Sequence, residues 1–233
     1  METWLAWAKG PAFWFAFTFM VLGLARHVGL TVWAVGRALW RAGDKSLPCR
    51  QIAAATLKWL LPFGKVRART LYSATTLAFH VAIIVVPVLL AAHIELWRRG
   101  VGLGWPAIPN RLADALTLVA IVTALALVVE RLAARDSRRL SRFQDYAIPL
   151  VIALPFISGF LAMHPTLNPF SYQATMFIHV MSGNLVFILI PLTKLSHAVL
   201  LPTTQLVSEV AWHFPPDAGS KVALALGKEN ESI

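Results

Sequence analysis

Apolar residues in this chain come in long unbroken runs, not in the alternating or one-sided patterns of soluble strands and helices. A hydrocarbon layer takes roughly 20 residues of helix at about 1.5 Å each. Five runs meet that length, at Phe13–Val35, Leu71–Trp97, Leu112–Leu132, Ala147–Met163 and Ala174–Leu201. The fourth is the shortest and holds Pro155. An all-α integral membrane bundle of about five transmembrane helices is the fold this pattern predicts, with residues 1–201 as the membrane domain and 202–233 as a tail. Between the first two runs, Gln51–Leu61 reads as an amphipathic helix lying on the membrane surface and ended by Pro62.

Composition strengthens this picture. Hydrophobic residues make up 58% of the 233 and charged residues only 14%, too little polar surface for a soluble domain of this size. Trp4, Trp7, Trp40, Trp97 and Trp105 fall near predicted helix ends, as an interfacial aromatic belt would have them. No basic region precedes the first apolar run, which is too long for a cleaved signal peptide.

Charge then predicts orientation. The segment between runs one and two carries Arg37, Arg41, Lys45, Arg50, Lys58, Lys65, Arg67 and Arg69. A second cluster, Arg131, Arg135, Arg138, Arg139 and Arg142, lies between runs three and four. With five spans both fall on one side, which the positive-inside bias makes cytoplasmic. The N-terminus is then outside, the tail inside, and the protein sits in the cytoplasmic (inner) membrane. The formal charge of +10 is accordingly a topology and lipid signal; no nucleic-acid-binding motif accompanies it. Cys49 is the only cysteine, which excludes disulfides, covalent haem attachment through a Cys-x-x-Cys-His motif and an iron–sulfur cluster ligated within this chain.

Chemistry is therefore expected from polar residues in the spans, where they are costly. Histidines dominate: His27 in the first, His80 and His93 in the second, His179 and His197 in the fifth. If the second and fifth spans are antiparallel neighbours, His80 meets His197 and His93 meets His179. Each pair would supply two axial imidazoles to one haem iron, an arrangement suited to electron transfer because no coordination position stays open. His179 and His197, 18 residues apart, return to one helical face about 27 Å apart along the axis. His80 and His93 are about 19.5 Å apart and roughly 140° around a straight helix, with Pro87 placed between them to bend or rewind it. Gly183, one turn from His179, would let a porphyrin face approach the backbone; helix–helix packing is the other reading of it.

The stretch His179 to His197 reads His-x3-Gly-x7-Pro-x-Thr-Lys-Leu-x-His, through Gly183, Pro191, Thr193, Lys194 and Leu195. It resembles the last transmembrane helix of the respiratory nitrate reductase gamma subunit, a five-helix dihaem cytochrome b whose superfamily includes the sulfite-reduction-associated membrane cytochrome. Phe79-His80 resembles that family's first ligand site in its second helix. The family's next histidine follows by ten residues; here Leu90 stands at that place and His93 comes three later, so either His93 takes over or His27, beside Arg26, is the reserve ligand.

The resemblance implies two b haems, quinol oxidation near the outer one (His93, His179), and electrons passing to the inner one (His80, His197) and on to a cytoplasmic iron–sulfur partner. The chain would be the quinol-oxidising membrane subunit of an oxidoreductase, with the terminal catalytic centre in another subunit. Quinol oxidation needs a proton acceptor and a polar anchor at the membrane edge, roles for which Glu95 and Arg111 are the candidates, against ordinary interfacial snorkelling. Ala211–Asp217 in the tail suits docking on the partner; His213 there lies beyond the last span. Two other readings are a cytochrome b subunit of a hydrogenase or formate dehydrogenase, and a haem-free transporter or scaffold.

Overall fold

A computed structural model describes residues 1–41, 47–60, 70–212 and 217–230. Lys45, Pro62, Lys65, Arg67, Arg69 and His213 lie outside the described residues, and with them the expected stop at Pro62. The fold is all-α, with no strand among the described residues. Five helices are long and apolar enough to cross a membrane: Glu2–Arg41, Thr70–Leu89, Asn110–Ala133, Phe143–Met163 and Tyr172–Leu192. The chain is a multi-pass membrane protein. It divides into two compact units, residues 1–18 with 66–189, and residues 19–65 with 190–233.

In the first unit the chain starts with α1 (Glu2–Trp7), which runs through a π-helical turn at Ala8–Ala12 into α2 (Phe13–Arg41). Pro11 sits inside that turn and has no N–H for the helical ladder. The carbonyl of the fully buried Ala8 also accepts from the side-chain amide of Asn184 at 3.1 Å.

Three helices of the first unit pack side by side. After α3 (Cys49–Leu60) come α4 (Thr70–Leu89) and α5 (Ala91–Val101), then α6 (Asn110–Ala133), α7 (Arg135–Leu140) and α8 (Phe143–Met163). Helix α6 packs between α4 and α8. Its buried positions are Ala113, Thr117, Ala120, Ala124 and Leu127, a stripe of mostly small residues that lets neighbouring backbones come close. The large side chains point the other way: Val122 and Val129 are each 62% exposed. Small residues inside and large apolar residues outside are what lipid, rather than water, makes stable. At one end of the unit, Arg131 bonds Ser141 Oγ at 3.1 Å and Tyr72 Oη at 3.3 Å and lies 3.9 Å from Asp145, joining α4, α6 and α8.

Two of the expected spans are interrupted, and both interruptions correct the sequence reading. The run Leu71–Trp97 is not one helix. Leu90 is extended, with φ −74° and ψ 127°, so α4 stops and α5 starts afresh. Pro87 stands three residues before the break, and the carbonyls freed there find other donors. Pro87 O accepts from His93 Nδ1 at 3.1 Å, Val88 O from Trp105 Nε1 at 2.8 Å, and Leu89 O from Ile108 N at 3.0 Å. The straight-helix angle between His80 and His93 therefore does not apply.

Likewise α9 (Tyr172–Leu192) ends at Leu192 just after Pro191, and Thr193 is extended. A 3-10 turn (Lys194–Ser196) follows, then α10 (His197–Trp212), with Pro202 inside α10 rather than at the start of a tail. So His179 and His197 do not share one face of one helix.

In the second unit α10 packs on α3. There Gly23 lies against Pro191: a Cβ on Gly23 would overlap the Pro191 ring, with its Cγ at 2.8 Å. The last helix, α11 (Ala218–Ala225), opens at Asp217, whose carboxyl is held below its usual range by the hydrogen bond from Lys221 at 2.6 Å.

A candidate haem site at the α5–α8–α9 junction

The break at Leu90 has a direct consequence for chemistry. It re-aims His93, near the start of α5, so that its ring faces His179 on α9 with centroids 6.0 Å apart and planes within 13°. Two imidazoles sharing one metal, with metal–nitrogen bonds of about 2.0 Å and ring centres about 1.1 Å behind the nitrogens, would stand at most about 6.2 Å apart. The spacing matches.

Each ring is also held in the tautomer a metal needs. His93 Nδ1 donates to Pro87 O, and His179 Nδ1 donates to Pro155 O at 2.8 Å. With the proton fixed on Nδ1, a neutral imidazole carries its lone pair on Nε2, and a carbonyl on the other ring nitrogen is the usual partner of a metal-binding histidine. Both carbonyls come from prolines inside helices, Pro87 in α4 and Pro155 in α8.

Two glycines shape the surroundings. A Cβ on Gly159 would stand 2.9 Å from His179 Cε1 and 3.0 Å from its Nδ1, so only glycine lets the ring lie against α8. Gly183, expected to open space near His179, has no atom within 4 Å of where its Cβ would be. Elsewhere in the first unit Phe13, Phe17, Trp97 and Phe187 form an aromatic cluster, with Phe17 centred 5.6 Å from Trp97 and 6.0 Å from Phe187. Lys9 is exposed and within electrostatic reach of His179. These residues fit a bis-imidazole haem. Among the described residues no three His, Cys, Asp or Glu gather as a metal cluster would require, but two axial ligands need no such cluster.

The other expected ligands lie in different units. His80, in the first, is half-buried, with Nδ1 donating to Thr76 O at 2.7 Å. His197, in the second, is exposed, with Nδ1 donating to Lys194 O at 2.7 Å. Both therefore share the tautomer of the first pair. His27, the reserve ligand, is instead tied through Nε2 to Pro191 O at 2.9 Å, a polar contact within the second unit.

Glu95 and Arg111 lie on different helices, α5 and α6. Glu95 lies in an exposed ladder with Arg99 at 2.8 Å and Arg98 at 3.6 Å, the snorkelling arrangement. Arg111 is exposed in the first turn of α6.

Sequence reasoning missed four polar residues that the structure puts in view. Asn184 closes the π-helical turn. Glu130 accepts from Thr75 Oγ1 at 2.8 Å while its Oε2 is buried without a hydrogen-bond partner. His164 and Asp114 approach each other at 3.5 Å. The cost of placing ionisable groups in or beside a span could have flagged the last three.

Over 203 residues, covering 84% of this chain and 87% of its counterpart, the sequence is 31% identical to a protein of Nitratidesulfovibrio vulgaris (Hildenborough) described only as "Protein". No family model and no solved structure matches the chain.

Proposed function

The chain belongs to one family with the Nitratidesulfovibrio vulgaris protein, and we propose that it is a dihaem cytochrome b, the membrane subunit of a respiratory oxidoreductase. In this role it exchanges electrons between the quinone pool and a cytoplasmic iron–sulfur partner, in the manner of the nitrate reductase gamma subunit it resembles. The observation that carries the reading is the facing of His93 and His179 at 6.0 Å with both Nδ1 atoms on proline carbonyls. The spacing sets this pair apart, since His80, His164 and His197 also donate from Nδ1 to a backbone carbonyl.

His93 and His179 would hold the outer haem; His80 and His197 remain the ligands that the resemblance implies for the inner one. Bound haem b would supply a one-electron redox couple at each site. The protein's own residues do the rest. The proline carbonyls fix the four-atom geometry of the outer pair and raise the basicity of each ligand. Gly159 lets His179 reach its position, and Gly183 leaves room beside it. Lys9 offers a positive charge of the kind a haem propionate pairs with. Arg111 remains the candidate anchor for a quinone carbonyl.

The cationic clusters support a cytoplasmic-membrane location with the N-terminus outside and the C-terminal segment inside. Quinol oxidised outside and electrons delivered inside would then separate charge across the membrane.

Quinol-driven reduction tests the reading. Purified full-length protein in lipid nanodiscs, mixed with a reduced menaquinone analogue, should develop the α-band of ferrous b haem. Correctly folded protein that shows no haem band, even with dithionite, contradicts the proposal.

A further inference from the structure

His164 and Asp114 form a polar pair that the electron-transfer scheme leaves without a role. His164 caps the C-terminal end of α8, one residue past the membrane-crossing segment Phe143–Met163. Its Nδ1 donates to Phe160 O at 2.8 Å and its ring stacks on Phe160 at 4.1 Å, so the imidazole has a fixed direction and a fixed tautomer. Nε2 is thereby the proton-accepting nitrogen, and it faces Asp114 Oδ2 at 3.5 Å. That distance is too long for a good hydrogen bond, so both atoms keep capacity for a third polar group. Both side chains are reachable, His164 being 30% and Asp114 41% exposed.

Their position relative to the outer pair follows from helix geometry. Gly159, which touches His179, precedes His164 by five residues on the same segment, a rise of roughly 7 Å. Arg111 lies three residues before Asp114, on the same side of α6. One end of the first unit thus presents a guanidinium, a carboxylate and an oriented imidazole within a short distance of the candidate haem ligands. Glu95, by contrast, is engaged by two arginines.

We propose that the His164–Asp114 pair is the proton acceptor for quinol oxidation, with Arg111 holding the quinone oxygen; this rests on the dihaem reading above. A quinol hydroxyl donates to His164 Nε2. Its O–H bond breaks as an N–H bond forms and Asp114 stabilises the imidazolium; bound haem would supply the one-electron acceptor. The proton then passes to water at the membrane face, where His164 already stands. A second such transfer yields quinone, so each quinol releases two electrons and two protons. A general base positioned in this way contributes on the order of 10²–10⁴-fold.

The experiment follows haem reduction by a menaquinol analogue in stopped flow, on haem-loaded full-length wild type, His164→Gln, Asp114→Asn and Asp114→Glu. Haem content and the dithionite-reduced spectrum report whether each variant is intact. His164→Gln and Asp114→Asn should lower the limiting rate at least about tenfold, with little change in the quinol concentration at half-maximal rate. Asp114→Glu should recover part of the loss. If His164→Gln disturbs haem loading, Asp114→Asn decides, since it keeps the shape and removes the charge. Intact variants reduced as fast as wild type overturn this proposal alone. Haem-loaded wild type that takes no electrons from quinol overturns the quinol reading, and this proposal with it.

Discussion

Adding one methyl group at Gly159 tests whether the position of the His179 ring matters. In Gly159→Ala the new Cβ would stand 2.9 Å from His179 Cε1, and tolerable contacts begin near 3.4 Å. The ring must therefore retreat by about 0.5 Å, more than the tolerance of about 0.2 Å expected of a metal–ligand distance. Retreat also stretches the bond from His179 Nδ1 to Pro155 O, now 2.8 Å. Overpacking costs about 1–3 kcal/mol and the weakened hydrogen bond about 1 kcal/mol more. A combined penalty of about 2–4 kcal/mol corresponds to haem binding weaker by roughly 30- to 700-fold. The assay is haem per polypeptide after purification, followed by titration with added haem. Gly159→Ala should retain one haem where wild type retains two, and should still fold, because alanine favours the helix. Two tightly held haems with unchanged spectra in Gly159→Ala would refute the reasoning.

Other expectations follow from contacts elsewhere. Asn184→Leu leaves the buried Ala8 carbonyl without its side-chain donor and should lower stability by about 1–3 kcal/mol, seen as an earlier thermal transition in detergent. Gly23→Leu forces a side chain into Pro191 and should destabilise by a similar or larger amount, with lower yield of folded protein as the readout. Gly183→Ala meets no atom of the protein within 4 Å, so apoprotein stability should hold; weakened haem retention in the same variant would place the porphyrin against that position. Glu95→Ala removes only exposed ion pairs and should change stability by less than about 1 kcal/mol in a chemical-denaturation series.

The five spans were legible because lipid demands long apolar runs whatever the tertiary fold. The histidines stood out for a related reason, their cost inside those runs. What the sequence hid were events decided by distant partners. Pro87 announced a disturbance, but the break falls at Leu90 because Trp105 and Ile108, from the connection after α5, take the freed carbonyls. No local pattern contains that pairing. The break also explains how His93 reaches His179 from a position that straight-helix arithmetic puts on the wrong face. Gly159 carried no signal, since its role exists only once α9 lies against α8. His164 lies just past the end of an apolar run, and Asp114 is 50 positions away from it in the chain, so no local pattern joins them. The fifth span misled most: its unbroken apolar run continues through Thr193, yet Pro191 and an extended Thr193 end the helix there.

Haem stoichiometry in wild type, His179→Ala and His197→Ala is the most direct test of the central claim. Pyridine haemochrome and protein assays on the same samples give haem per polypeptide, and dithionite-reduced minus oxidised spectra show which band is lost. The account predicts two b haems in wild type and one fewer in each variant, with different bands disappearing. Folded wild type without haem, or a full complement of haem in His179→Ala, would contradict it.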